Sequence, residues 1–136
     1  MPWWSRLRRW LGGAPAARGR ADIWHAGEDA AARYLRRQRF KILARNVRLG
    51  RNELDIIARD GDTIVFVEVR TRASADPYRP EDSITPRKQR HLRTAAAWYM
   101  ARNPDPESYY RFDVVAVILP EDGPPEITHY RDAFPG

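Results

Sequence analysis

Cysteine is absent from the 136-residue chain. That excludes disulfides, thiolate nucleophiles and cysteine-ligated zinc, and it fits a reducing, cytoplasmic setting. Long hydrophobic runs are missing too. The longest, Val114-Val115-Ala116-Val117-Ile118-Leu119, is far short of the roughly 20 apolar residues of a membrane span. Lysine is scarce: Lys41 and Lys88 are the only two among 24 basic residues, so a lysine at any position departs from the habit of this chain. Acids are absent from residues 1–20, which carry Arg6, Arg8, Arg9, Arg18 and Arg20. No internal repeat is visible.

The apolar content of 43% is ordinary for a globular protein and excludes global disorder. Residues 21–136 suit one compact domain. Residues 1–20 read as a basic extension, because Gly12, Gly13 and Pro15 break any helix there. Trp3, Leu7, Trp10 and Leu11 fall on one stripe, with Arg6, Arg8 and Arg9 off it. Such a short turn can touch anionic membrane or nucleic acid, although a mobile tail is the plainer expectation. The net charge of +6 divides into +5 on residues 1–20, +6 on residues 21–104 and −5 on residues 105–136. A basic balance favours phosphate-bearing partners.

The apolar pattern predicts a helix from an Asp22 cap to about Gln38, with Trp24, Gly27, Ala31, Tyr34 and Leu35 inward and Arg33, Arg36 and Arg37 outward. Strands are expected at about 40–48, 52–59 and 62–71, with Asp60-Gly61 as a tight hairpin turn. A loop with two prolines spans 73–82. Ser83 or Thr85-Pro86 then opens a second helix, which ends at Asn103-Pro104. Strands at about 110–119 and 126–130 complete the order α-β-β-β-α-β-β. The expectation is an α/β fold, a mixed β-sheet flanked by helices.

Some acids fall where this pattern expects apolar side chains. At about 100° per residue, Glu28 lies about 40° from Trp24 and about 20° from Leu35, on the inward side of the first helix. A carboxylate there needs a cation, hydrogen bonds or a metal, unless it snorkels outward at the margin of the stripe. Along the second strand Glu53, Asp55 and Ile57 share a face, with Leu54, Ile56 and Ala58 behind. Along the third, Phe66, Glu68 and Arg70 share one. A two-residue Asp60-Gly61 turn puts Glu53 opposite Glu68, and Asp55 opposite Phe66, diagonal to Glu68. A three-residue turn with a bulge separates the acids instead.

Clustered hard oxygen ligands without thiols suit magnesium, hence metal-assisted attack of water on a phosphodiester. Arg70, two residues beyond Glu68, can orient phosphate or water but is a poor general base. A plain salt bridge to Asp55 or Glu68 is its other reading. Lys88 falls in the inward arc of the second helix with Ile84 and Leu92, within reach of the same site or snorkelling to the surface. His91 shares that arc. His25, His91 and His129 are scattered, and each reads as structural or exposed.

The constellation Glu28, Glu53-Leu54-Asp55 and Glu68-Val69-Arg70 resembles the PD-(D/E)XK nuclease superfamily, the restriction-endonuclease-like fold. More narrowly the chain resembles the YraN-like bacterial family, which is similar in layout to archaeal Holliday-junction resolvases. The likeness runs over about residues 23–134. It includes Ala26-Gly27-Glu28-Asp29-Ala30-Ala31, Ile42-Leu43-Ala44-Arg45-Asn46-Val47-Arg48, Val65-Phe66-Val67-Glu68-Val69-Arg70, Thr85-Pro86-Arg87-Lys88, Arg111-Phe112-Asp113-Val114 and Arg131-Asp132-Ala133-Phe134.

The resemblance implies a restriction-endonuclease-like mixed sheet between helices, with Asp55 and Glu68 as ligands of Mg2+ or Mn2+. Glu28 becomes the helix-borne acid that supports them, directly or through water. Arg70 stands where the superfamily usually has its catalytic lysine, and Asn52 replaces the glycine usual before the Glu-x-Asp. Lys88 is a candidate substitute for that lysine. The implied function is a metal-dependent endonuclease on structured or branched DNA, for which a homodimer would suit a two-stranded substrate. The alternatives are a catalytically inactive nuclease-fold module that binds nucleic acid, or an interaction protein engaging RNA or a membrane.

Overall fold

Alternation along Ile64–Val69 divides the core in two. Val65, Val67 and Val69 pack into one buried cluster, Ile64 and Phe66 into another. A strand buried on both faces needs cover on both sides, and a helix lies on each. The computed structural model describes residues 19–75 and 77–136. The basic extension expected over residues 1–20, with its Trp3, Leu7, Trp10 and Leu11 stripe, lies outside the described residues apart from its last two positions.

The elements are α1 (Arg20–Arg37), β1 (Lys41–Leu49), β2 (Asn52–Asp60), β3 (Thr63–Ala73), a short 3-10 turn (Pro80–Ser83), α2 (Pro86–Arg102), β4 (Tyr109–Leu119) and β5 (Glu126–Phe134). The order is α-β-β-β-α-β-β, as the sequence pattern predicts. The sheet runs β1-β2-β3-β4-β5, antiparallel throughout except for the parallel β3–β4 pair. Parallel neighbours need a crossover, and α2 lies on it. Among the described residues no helix is long and apolar enough to cross a membrane.

α1 packs on one face through Ala30, Ala31 and Leu35, against Ile56, Val65, Val67 and Val115. α2 packs on the other through Leu92, Ala95 and Ala96, against Ile57, Phe66, Phe112 and Phe134. Phe66 makes ring contacts with Tyr99, Tyr110 and Phe112. Truncating such a buried aromatic costs about 3–5 kcal/mol.

Several local expectations are corrected. Asp22 does not cap α1: the cap position is Gly19, without a side-chain hydrogen bond, and Asp22 sits in the first turn. Trp24 is 38% exposed rather than inward, its ring stacked on His25. His91 is exposed on α2, not inward. β5 continues to Phe134, whose ring stacks on Phe112.

The hairpin register also differs. Asp60 pairs with Thr63 and Ile57 with Phe66, so Gly61-Asp62 forms the turn. Gly61 has φ +62, the left-handed region open to glycine at the first turn position. Within the paired stretch Ile56–Asp60 the slip preserves which residues share a face but changes which ones oppose. Glu53 does not face Glu68; it pairs with Arg48 of β1.

Candidate carboxylate site

The β2–β3 ladder ends at Ile56–Val67, and the acids gather where it ends. The Asp55 carboxylate takes over the next ladder position, accepting a 2.8 Å hydrogen bond from the backbone N–H of Val69. On the β1 side, Asn46 lies between the Arg45–Ile56 and Val47–Leu54 pairs with φ +52. Strict alternation fails here, and Leu54 packs in the same cluster as Ile57. The strand leaves β3 at this point, so its faces are no longer set by that neighbour.

Three carboxylates are withdrawn from water. Glu28 is 0% exposed, Asp55 5% and Glu68 4%. Glu28 comes from α1, which approaches β3 so closely that a methyl group at Gly27 would overlap the Thr71 side chain. Glycine before the acid is thus what seats the helix near enough for Glu28 to reach the site. With its amide nitrogen turned toward the acid, Asn46 donates to both Glu28 oxygens, at 2.9 and 3.1 Å. Burial, then the charge of Asp55, raises the Glu28 pKa to about 7, against the opposing pull of Arg45.

Glu68 projects from β3 toward α2. Thr85 caps that helix, its hydroxyl accepting from the Lys88 N–H at 3.1 Å, with Pro86 in the first turn. The cap fixes the helix start so that Lys88, one turn in, reaches Glu68. Lys88 Nζ lies 3.6 Å from Glu68 Oε1, and Arg70 Nε lies 3.5 Å from the same oxygen. Oε2 is buried and has no hydrogen-bond partner. Burial first, then the Asp55 charge, raises the Glu68 pKa to about 8, although both cations pull it down. Burial likewise raises Asp55, against the Val69 hydrogen bond and the charges of Lys88 and Arg70.

All five residues singled out from sequence, Glu28, Asp55, Glu68, Arg70 and Lys88, therefore meet in one neighbourhood. Glu53 is close enough to raise both Glu28 and Asp55 electrostatically. Two members escape sequence reasoning. Asn46 is visible only as part of a motif, and Arg45 bonds to Asp29 at 2.7 Å while acting on Glu28. A cleft of about 520 Å³ is lined by Gln89 and Val114 among others, but by none of the five residues singled out from sequence.

A second buried acid lies elsewhere. Asp113 on β4 is 0% exposed and accepts from Arg111 at 2.9 Å, from the Asp132 N–H at 3.0 Å and from the His129 ring at 2.8 Å. His129 is enclosed by Tyr34 and Phe40. It is buried and hydrogen-bonded, in keeping with a structural reading, and its acid partner is visible in the sequence only within Arg111-Phe112-Asp113-Val114.

The architecture is thus that of a five-stranded mixed α/β protein with buried carboxylates and two cations where two central strands part. The pattern that defines "Uncharacterised protein family UPF0102" matches residues 27–117. The chain belongs to this family, the YraN-like group that its motifs resemble. A UPF0102 protein of Geotalea daltonii is 44% identical over 112 residues, covering 82% of this chain and 88% of that protein. One from Chlorobaculum parvum is 50% identical over 92 residues, 68% of this chain and 71% of that protein. One from Syntrophomonas wolfei is 44% identical over 112 residues, 82% of this chain and 95% of that protein.

Proposed function

We propose that this chain is a metal-dependent endonuclease that hydrolyses phosphodiesters in structured or branched DNA. The observation that carries the reading is the division of labour at Glu68. Oε1 faces Lys88 and Arg70, while Oε2 is buried without a partner, and Asp55 is close enough for its charge to raise Glu68. Buried carboxylate oxygens are costly to leave unpaired, and a divalent cation is the partner that suits two neighbouring acids.

Among the described residues no three His, Cys, Asp or Glu side chains converge tightly enough to hold an ion alone. Magnesium typically takes one or two carboxylates and completes its shell with waters and phosphate oxygens. Asp55 and Glu68 would hold the ion, and Glu28, oriented by Asn46, would support them. A bound ion of this kind would act as Lewis acid toward the phosphate and would acidify water.

The chain itself supplies the rest. Arg70 and Lys88 neutralise charge that builds on the phosphate oxygens as water attacks phosphorus and the bond to the leaving oxygen breaks. Lys88 arrives from α2 instead of from the strand position that Arg70 occupies. The proton of the attacking water ends on the leaving oxygen, and the low-dielectric walls around Glu28 and Glu68 strengthen each of these contacts.

Labelled junction, flap and linear DNA, incubated with and without Mg2+ or Mn2+, provide the test. Cleavage that needs the ion, prefers a branched substrate and falls at least about 100-fold in Asp55→Ala is expected. Cleavage of none of these substrates would sink the reading. A second reading has one observation in its favour, Arg70 at the usual lysine position. It makes the chain a nucleic-acid-binding module without turnover, with binding indifferent to EDTA and steeply weakened by salt.

A further inference from the structure

Several arginines elsewhere on the described surface pair with acids: Arg45 with Asp29, Arg59 with Asp105, Arg79 with Glu81, Arg111 with Asp60 and Asp113. α2 is different. Its sequence, PRKQRHLRTAAAWYMAR, holds five Lys and Arg and no acid. Arg87, Arg90 and Arg102 form no ion pair with a carboxylate among the described residues. At 3.6 residues per turn, Arg87, Arg90, His91, Trp98 and Arg102 fall within an arc of about 120°, and all five are exposed. The same face carries an exposed indole. Trp98 is 45% exposed, is set against the Gly50 turn and carries the Arg102 guanidinium 5.1 Å from its ring centre.

We propose that this outward face of α2 holds a single-stranded DNA segment leading away from the carboxylate site. The inference rests on the endonuclease reading and narrows its substrate to DNA with an unpaired strand next to the cut. Geometry links the two places. The same helix turns Lys88 to Glu68 at its start and sets Trp98 on the β1–β2 turn about 15 Å further along. Unpaired cations spaced along a helix match a chain of phosphates, and an accessible aromatic ring gives a base a surface to stack on. A paired duplex hides its base faces and gains nothing from the indole. The requirement for both features selects the single strand.

The test is fluorescence anisotropy of the full chain with labelled oligothymidylate in EDTA, so that binding is read without cleavage. Arg87→Gln with Arg90→Gln should weaken binding about tenfold and flatten the log–log salt slope by about 1.4, two phosphates at about 0.7 each. Trp98→Ala should weaken it about tenfold, Trp98→Phe by less than about threefold, with duplex binding little changed. Arg36→Gln on α1 should bind as wild type. Oligothymidylate binding indifferent to both the arginine pair and Trp98 overturns the inference, and so does tighter binding of oligouridylate. The arginine variant lies on the exposed surface, so it decides the matter even if Trp98→Ala disturbs the fold. Flap cleavage at the wild-type rate in Trp98→Ala leaves the endonuclease reading standing and overturns this one. Trp98-dependent strand binding by a chain that never cleaves does the reverse.

Discussion

Two buried acidic centres, both withdrawn from solvent, have opposite electrostatics. Around Asp113 every interaction is complementary: a guanidinium, an imidazole and a backbone N–H converge on one carboxylate. Despite its burial, those bonds hold the Asp113 pKa below the ordinary carboxylate range. Around Glu28, Asp55 and Glu68 the acids face one another and all three are raised. Burial of an acid is therefore not the sign of function here. Incomplete neutralisation is what separates the two centres: one is satisfied, and the other keeps opposed charges, which is the feature the proposed cation would offset.

Removing the complementary acid should be the most damaging change. Asp113→Ala leaves His129 without its acid and Arg111 with Asp60 alone, at about 3 kcal/mol of lost stability. Urea unfolding checks this, and a loss below about 1 kcal/mol would remove the contrast between the centres. The next effect is on pH dependence. Glu28 and Glu68 have folded pKa values of about 7 and 8 against ordinary values of 4.5. The folded state thus binds more protons than the unfolded one from about pH 4.5 to 8, and stability in EDTA should fall by a few kcal/mol as pH rises through that window. Asp113 acts in the other direction: its lowered pKa adds stability that is lost only as pH falls below the unfolded value near 3.8. Unfolding midpoints from pH 4 to 9 that stay flat on the alkaline side would break the comparison.

Smaller effects sharpen it. Glu68→Gln removes one of the opposed charges and should stabilise the metal-free protein by about 1–2 kcal/mol at pH 8 while abolishing any ion-dependent activity. A destabilised Glu68→Gln would mean that its bonds to Lys88 and Arg70 outweigh the repulsion. Gly27→Ala should cost about 1–3 kcal/mol, because α1 must move off Thr71. Its activity loss should exceed its stability loss, since Glu28 moves with the helix.

How much of this fold and site is legible in the amino-acid sequence depends on the range of each interaction. Faces come from local periodicity, so Glu28 inward and Glu68 beside Arg70 are legible, as is the order of elements. Partners across a hairpin come from turn geometry, and the chain offers both Asp60-Gly61 and Gly61-Asp62. Over the paired stretch Ile56–Asp60 the two registers preserve the faces and differ in opposition, which is why periodicity misplaces Glu53; before Ile56 the alternation itself fails at Leu54, which no local pattern shows. Helical rotation suggests Lys88, but its approach to Glu68 depends on the Thr85 cap and the crossover. His129 and Asp113 meet through the β4–β5 register, shifted between Phe112 and Val114, which nothing local specifies.

The hydrogen bond from Val69 to Asp55 has a spectroscopic consequence. The Val69 amide proton is held by a titratable side chain where its neighbours are held by peptide carbonyls, so its chemical shift and its exchange with deuterium follow the charge state of Asp55. A single backbone resonance thus becomes a built-in gauge of whether the site is protonated, ionised or loaded.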